Sequence, residues 1–270
     1  MTTADAAAPG GRRAGVRARV RGSATDGLLA VAVLVALLVI WQWASMVRAI
    51  SSLLLPSPVA IGNALVSLLT SPFYYGHLGA TAFEAISGFA IGAVVAIALA
   101  TILTQLPTVG QLASPYIVAF QVLPKVALAP LLVIWLGFGM ESKIALSIAI
   151  SFVPILISTI KGIERVPMNS IRLMRSLRAS RRQVFIMLTV PVALPYIFAG
   201  LRAGATLALI GAVVGEYVTA REGLGKLLIT FASNAQQPSV WATTFVIGAL
   251  GLLLYGVVGA LGRRLVWWSA

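Results

Sequence analysis

Cysteine is absent from the 270-residue chain, which excludes disulfides, thiolate nucleophiles and zinc–sulfur sites. Histidine occurs once, at His77, so a histidine-based metal cluster has no second ligand. Such a lone histidine is expected at the edge of a membrane span. Charge is sparse too: 10% of residues are charged, against about a quarter in ordinary soluble domains. Acidic residues are rarer still, 7 against 20 lysines and arginines, for a formal net charge of +13. The basic residues form islands between long apolar runs rather than a stripe on a polar surface, which excludes a nucleic-acid partner. A phosphate-binding GxxxxGK[ST] loop is also missing, since "GLGKLL" at Gly223 has neither the spacing nor the hydroxyl residue. No nucleotide hydrolysis, enzyme activity, metal or cofactor is therefore expected on this chain.

What the chain has in abundance is apolar surface, with 59% hydrophobic residues. Residues 1–27 are small, polar and basic, and are expected to form a disordered cytoplasmic tail. The apolar run 28–47 follows directly. At about 20 residues it exceeds the 7–15 of a signal-peptide core, so it reads as an uncleaved first span. Five further runs, 78–106, 112–136, 143–163, 192–218 and 240–261, are long enough to cross a hydrocarbon core of about 30 Å. The fold class is thus all-α: a polytopic membrane protein with six transmembrane helices in one domain, 28–270. Between the first two spans the chain is broken by Pro56, Pro58 and Pro72. Its 59–69 portion is too short to span and is expected to lie at the lipid surface as an amphipathic helix.

Orientation follows from where lysine and arginine fall. With both termini in the cytoplasm, the inner side holds Arg12, Arg13, Arg17, Arg19, Arg21, the cluster within 161–182, Arg263 and Arg264. The outer side holds only Arg48, Lys143, Arg221 and Lys226. Trp41 and Trp43 then mark the outer edge of the first span, and Trp267 and Trp268 the inner edge of the last, where indoles favour the interface.

The central basic stretch, "RLMRSLRASRRQVFIMLTVPVALP" from Arg172 to Pro195, carries more than topology. Pro167 with Asn169 or Ser170 offers a helix start, and Ile171, Met174 and Leu177 recur at helical spacing. Arg172, Arg175 and Arg178 form a neighbouring stripe. Ser180 is placed as an N-cap for a second short helix with Val184, Phe185 and Leu188. Two short helices with one apolar stripe between charged ones suit docking into a groove on another protein.

Ionisable side chains inside spans are costly and usually face a cavity or a partner. Glu84, Lys125, Arg202 and Glu216, with Gln121 one turn before Lys125, are therefore candidates to line a translocation pathway. Lys125 lies between Pro124 and Pro130, where freed carbonyls are tolerated only if they line a cavity. Glu216 is expected at the outer mouth. Gly200, Gly204, Ala208, Gly211 and Gly215 form a small-residue stripe that permits close helix packing or lines the pathway.

Several of these segments, taken in order, resemble a known family. "LPSP" at Leu55, "GFAIG" at Gly88, "LPKVALAPLLVIWLGFG" at Leu123, "SIRLMRSLRASRRQVFIMLTVPVALPYIFAGLR" at Ser170, "GEYV" at Gly215 and "GLGKLL" at Gly223 are similar to the permeases of ATP-binding cassette importers. The similarity is to the nitrate/sulfonate/taurine branch and covers nearly everything after the tail. It implies six spans in the bacterial cytoplasmic (inner) membrane and a second permease copy, most simply as a homodimer. It further implies two cytoplasmic ATPase subunits carrying ATP and magnesium, and an extracytoplasmic solute-binding protein. It makes residues 164–190 the coupling loop, with Ile171, Leu173, Met174, Arg175, Ser176, Leu177, Arg178, Ala179 and Ser180 in contact with the ATPase. The family's loop usually reads Glu-Ala-Ala, three residues, then Gly; here Arg172, Leu173 and Met174 are followed by Arg178 in the glycine position. A sub-branch for vitamin-like heterocycles shares "LMRSL" and a glutamate at the position of Glu84. The expected cargo is thus a sulfonate, taurine or nitrate, or a heterocycle such as a pyrimidine or riboflavin. The rival reading is a stand-alone secondary transporter or channel; the matched, inverted halves common in such proteins are not visible here.

Overall fold

The computed structural model describes residues 12–47, 51, 54–219 and 221–269. Every regular element among them is helical. Residues 1–11 of the expected tail, and Arg48 of the expected outer face, lie outside the described residues. By packing, the chain divides after Asn63.

The first unit contains α1 (Arg12–Met46) and the opening of α2 (Pro58–Leu69). Disorder was expected up to residue 27, yet the helix already runs from Arg12. Arginine and alanine are good helix formers, and extending an existing helix needs no new nucleus. The most apolar window of Gly27–Met46 contains no fully buried residue. Val59 N–H donates to the Gln42 side chain at 3.3 Å.

In the second unit α3 (Pro72–Gln105) and α4 (Pro107–Val122) each open on proline, which fills the first turn without wasting a hydrogen bond. The third span, expected as one run, is broken. α4 stops at Leu123, a 3₁₀ turn (Lys125–Leu128) follows, and α5 (Ala129–Leu136) leaves at 85° to α4. Pro124 has no N–H for the carbonyl four residues back, and its ring disfavours a helical Leu123. Counting this bent pair as one, the described residues include six helices able to cross a membrane by length and composition, and five otherwise.

α6 (Met140–Glu164) leads through α7 (Met168–Ser176) and α8 (Arg181–Val184) into α9 (Val190–Thr219). α10 (Leu224–Ser233), a short helix absent from the sequence reading, precedes α11 (Gln237–Leu265). The core is α6 against α9, with α3 packed on both. The small-residue stripe of α9 lies in this seam. A Cβ on Gly211 would meet Ser147 Cα at 2.7 Å, and one on Gly200 would meet Ser158 Cβ at 2.7 Å. Ser147 Oγ crosses the seam to donate to the Ala208 carbonyl at 2.7 Å. Between apolar helices in lipid, such close contact and interhelical bonding supply the attraction that water would otherwise drive.

Gly211→Leu is accordingly expected to force α6 and α9 apart at a cost of about 1–3 kcal/mol or more. The purified variant should lose its monodisperse chromatographic peak and unfold at lower temperature. Gly256→Leu, where a side chain meets nothing within 4 Å, should behave as wild type.

Candidate functional site

The chain carries three candidate regions: the 164–190 loop, the break in the third span, and a buried polar cluster.

In the loop, α7 starts at Met168 after Pro167 and ends at Ser176, with Leu177 as its C-cap. Arg178 then adopts φ 59°, the left-handed conformation that glycine would take at little cost. The left-handed conformation is made here by arginine, in the family's glycine position, at a cost of about 1–2 kcal/mol. Backbone bonds hold it, Arg178 N–H to Arg175 O at 2.9 Å and Ala179 N–H to Met174 O at 3.0 Å. Ser180 then caps α8 in a full capping box: Gln183 N–H donates to Ser180 Oγ, and Ser180 N–H to Gln183 Oε1 at 2.7 Å. The chain passes through a π-helical turn, Phe185–Thr189, directly into α9. At the loop's root Arg165 Nε donates to Tyr196 Oη at 3.1 Å. The expected stripe divides: Ile171 and Met174 are half-buried, whereas Leu173 and Leu177 are 62% and 74% exposed. Arg175, Ser176 and Ser180 are exposed and Ala179 is half-buried.

At the break, the Gln121 carbonyl would have accepted from the Lys125 backbone N–H had the helix continued. Instead it accepts from Lys125 Nζ at 3.1 Å, and the ammonium lies 5.7 Å from the centre of the Phe120 ring. Gln121 is exposed and Lys125 half-buried.

The third region joins residues the sequence kept apart. His77, Thr81 and Glu84 occupy one face of α3 at i, i+4 and i+7, all buried. Against them lie Glu216 of α9, 1% exposed, and Lys143 of α6, 3% exposed. Thr81 Oγ1 donates to Glu216 Oε1 at 2.6 Å and accepts from Leu224 N–H at 2.8 Å. Glu216 Oε2 accepts from Gly225 N–H at 2.6 Å. His77 Nδ1 accepts from Gly223 N–H at 2.9 Å, which puts its ring proton on Nε2. Lys143 Nζ donates to the carbonyls of Phe138 and Gly139 at 2.7 and 2.8 Å. Glu84 lies within hydrogen-bonding reach of Glu216.

Together these groups pin the start of α10 to α3 and α9. Gly223, at φ 118°, and Gly225 are needed there because a Cβ on either would collide with the Glu216 carboxyl. His77 is therefore not the interfacial side chain expected, and Lys143 is a buried ligand of carbonyls rather than a free surface charge. Glu84 and Glu216 meet; Lys125 and Arg202 join neither each other nor this pair. Of the missed members, His77 and Thr81 were legible only as a polar i, i+4 pair ahead of Glu84 inside an apolar helix, and Lys143 on α6 had no such signal. Among the described residues no group of three or more His, Cys, Asp or Glu could hold a metal ion.

A family model described as "Binding-protein-dependent transport system inner membrane component" matches residues 88–267. The chain belongs to that family. It is thus a permease of the ABC-importer type, a transport subunit rather than an enzyme. The riboflavin transport system permease protein RibX of Chloroflexus aurantiacus is 35% identical over 88% of each chain. The formylaminopyrimidine transport permease protein ThiX of Halalkalibacterium halodurans is also 35% identical, over 86% of this chain and 92% of its own. The taurine transport system permease protein TauC of Escherichia coli is 32% identical over 89% of each. A crystal structure of an amino acid ABC transporter with histidines matches in fold, with a TM-score of 0.55 at 16% identity over 72% of this chain and 92% of that one.

The permease's buried cluster predicts a selective stability defect. Thr81→Val leaves Leu224 N–H and one Glu216 oxygen without partners, each worth about 1–3 kcal/mol when buried. The variant should unfold several degrees lower, and trypsin should cut faster at Arg221 and Lys226. Thr244→Val, whose hydroxyl serves only its own helix through the Val240 carbonyl, should show neither effect.

Proposed function

We propose that this permease works as one of two identical membrane subunits of an ATP-driven importer, with both termini in the cytoplasm. The observation that carries the reading is the exposed apolar pair Leu173 and Leu177 at the helix–turn–helix around Arg178. Two leucines one turn apart, flanked by Arg172, Arg175 and Arg178, suit a groove on the ATPase subunit, which carries ATP and magnesium. The positive-inside asymmetry supports placing this loop in the cytoplasm and α10, with Arg221 and Lys226, on the side of the solute-binding protein. ATP-driven closure of the motor then acts on the 164–190 loop and shifts the permease between two access states.

The pathway passes the break in the third span, where Gln121 and Lys125 flank the 85° bend. The cargo is a small organic solute. The 35% identity to permeases named for riboflavin and formylaminopyrimidine transport favours a flat heterocycle, and the likeness to a taurine permease keeps sulfonates as the second class. Phe120, with Lys125 over its ring, offers a stacking face and a cation to either.

Co-expression with the cognate ATPase is expected to yield a complex of two plus two subunits. Leu173→Asp with Leu177→Asp should weaken that complex at least about 100-fold, because burying unpaired carboxylates costs several kcal/mol. Arg175→Gln should cost at most about 1 kcal/mol. A pull-down of the ATPase with both variants separates this from a loop that serves orientation alone, for which the leucine pair would be dispensable. Lys125→Ala should lower uptake in proteoliposomes while leaving assembly intact; unchanged uptake at matched expression would remove Lys125 from the pathway.

A further inference from the structure

α9 and α11 leave between them an open apolar groove, with a cavity of about 550 Å³ lined by Thr206, Ile210, Val213, Ile247, Leu252 and Tyr255, among others. Gly248 forms part of its wall, and a Cβ there would meet nothing within 4 Å. One turn before Thr206 stands Arg202, and one turn after Tyr255 stands Gly259. The Arg202 guanidinium lies over Gly259, with Nη2 at 3.4 Å from its carbonyl, so it closes the end of the groove nearest Arg263.

Among the described residues this cation has no counter-ion. Its Nε is buried with no hydrogen-bond partner among the described residues. α11 contains no acidic residue, and the one carboxyl on α9, Glu216, is fourteen residues away, about 21 Å along the helix. One turn beyond Gly259 is Arg263, exposed, followed by Arg264, Trp267 and Trp268. Arginines beside indoles mark the headgroup level of a bilayer. From Arg202 to Tyr217, at the far end of the lining, is fifteen residues or about 22 Å. Half of a hydrocarbon core is about 15 Å, so the groove is long enough for a whole acyl chain.

We infer that the α9–α11 groove is a binding site for an anionic phospholipid. One acyl chain lies along Ile210, Val213 and Ile247, and the phosphodiester sits against Arg202 and Arg263. A second copy of the chain is the poorer occupant. Its Glu84 and Glu216 are committed to the buried cluster, while Glu141 and Glu164 sit at the two ends of α6 and Glu222 just before α10, none of them a turn inside a span as Arg202 is. A lipid phosphate reaches Arg202 and Arg263 alike, because its chain anchors it in the groove. The site does not depend on the proposed orientation, which only decides which leaflet supplies the lipid.

The test is native mass spectrometry of the full chain, released from detergent with equimolar palmitoyl-oleoyl phosphatidylglycerol and phosphatidylcholine. Wild type is expected to retain one phosphatidylglycerol in preference to phosphatidylcholine. Arg202→Gln should cut that retention about fivefold, the effect of one basic residue near an anionic headgroup. Arg202→Lys should restore most of it. Gly248→Leu fills the groove and should lower retention of both lipids, which separates a lipid site from one for a free anion. Three results overturn the inference. They are equal retention of phosphatidylglycerol by wild type and Arg202→Gln, displacement of it by millimolar inorganic phosphate with Gly248→Leu inert, and disulfide cross-linking of Gly248→Cys to a second copy in phosphatidylglycerol vesicles. The last is readable because the native chain has no cysteine.

Discussion

Inside a bilayer a carbonyl or carboxyl oxygen has no water to turn to, and an unpaired one costs several kcal/mol. Each departure from regular helix in this permease is shaped by that requirement. Pro124 breaks the third span, and the carbonyl so orphaned at Gln121 is met by the side chain of Lys125. Lys143, buried on α6, spends its protons on the two carbonyls just before its own helix. Glu216 is satisfied by a threonine hydroxyl from α3 and a backbone amide from α10, elements far apart in sequence. Lys125, Lys143 and Glu216 are thus fasteners first, and any part they play in transport is built on that.

The same logic explains what the sequence revealed. Spans could be read from apolar length, because a helix in lipid satisfies its own backbone and needs only enough residues to cross. Ser180 could be read as a cap because its partner, Gln183, is three residues away. The cluster around Glu216 was not legible, since it joins residues 77, 81, 143 and 216 with the amides of 223–225, and no local pattern encodes those distances. His77 misled for a related reason. A lone histidine near a span end suits the interface, but the backbone N–H of Gly223, 146 residues on, draws it inward. The bend in the third span was half visible: its prolines were plain, while the 85° angle depends on how α5 packs against α6.

Arg178 shows how far a motif's geometry can outlast its residue. The left-handed turn persists without glycine because flanking bonds to Arg175 and Met174 and the capping box at Ser180 fix the chain on both sides. Those contacts outweigh about 1–2 kcal/mol of backbone strain. In exchange the loop gains a cation at its apex, beside the two exposed leucines. A partner that docks here meets a turn already formed and loses little entropy in ordering it.

α9 joins these features into one mechanical element. It runs about 45 Å over its thirty residues, continuous with the loop at one end and carrying Glu216 near the other. Its small residues lock it against α6, and its other face forms the groove closed by Arg202. A rigid helix gripped along its length transmits a push better than it bends, so compliance must sit where the grip ends. The π-helical turn Phe185–Thr189 is that place: its wider hydrogen-bonding pattern lies between the capped α8 and the packed body of α9. Under the proposed docking of the ATPase subunit, force applied at Leu173 and Leu177 would reach α9 through its least regular turn. At the far end it meets the Glu216 contacts that hold α10.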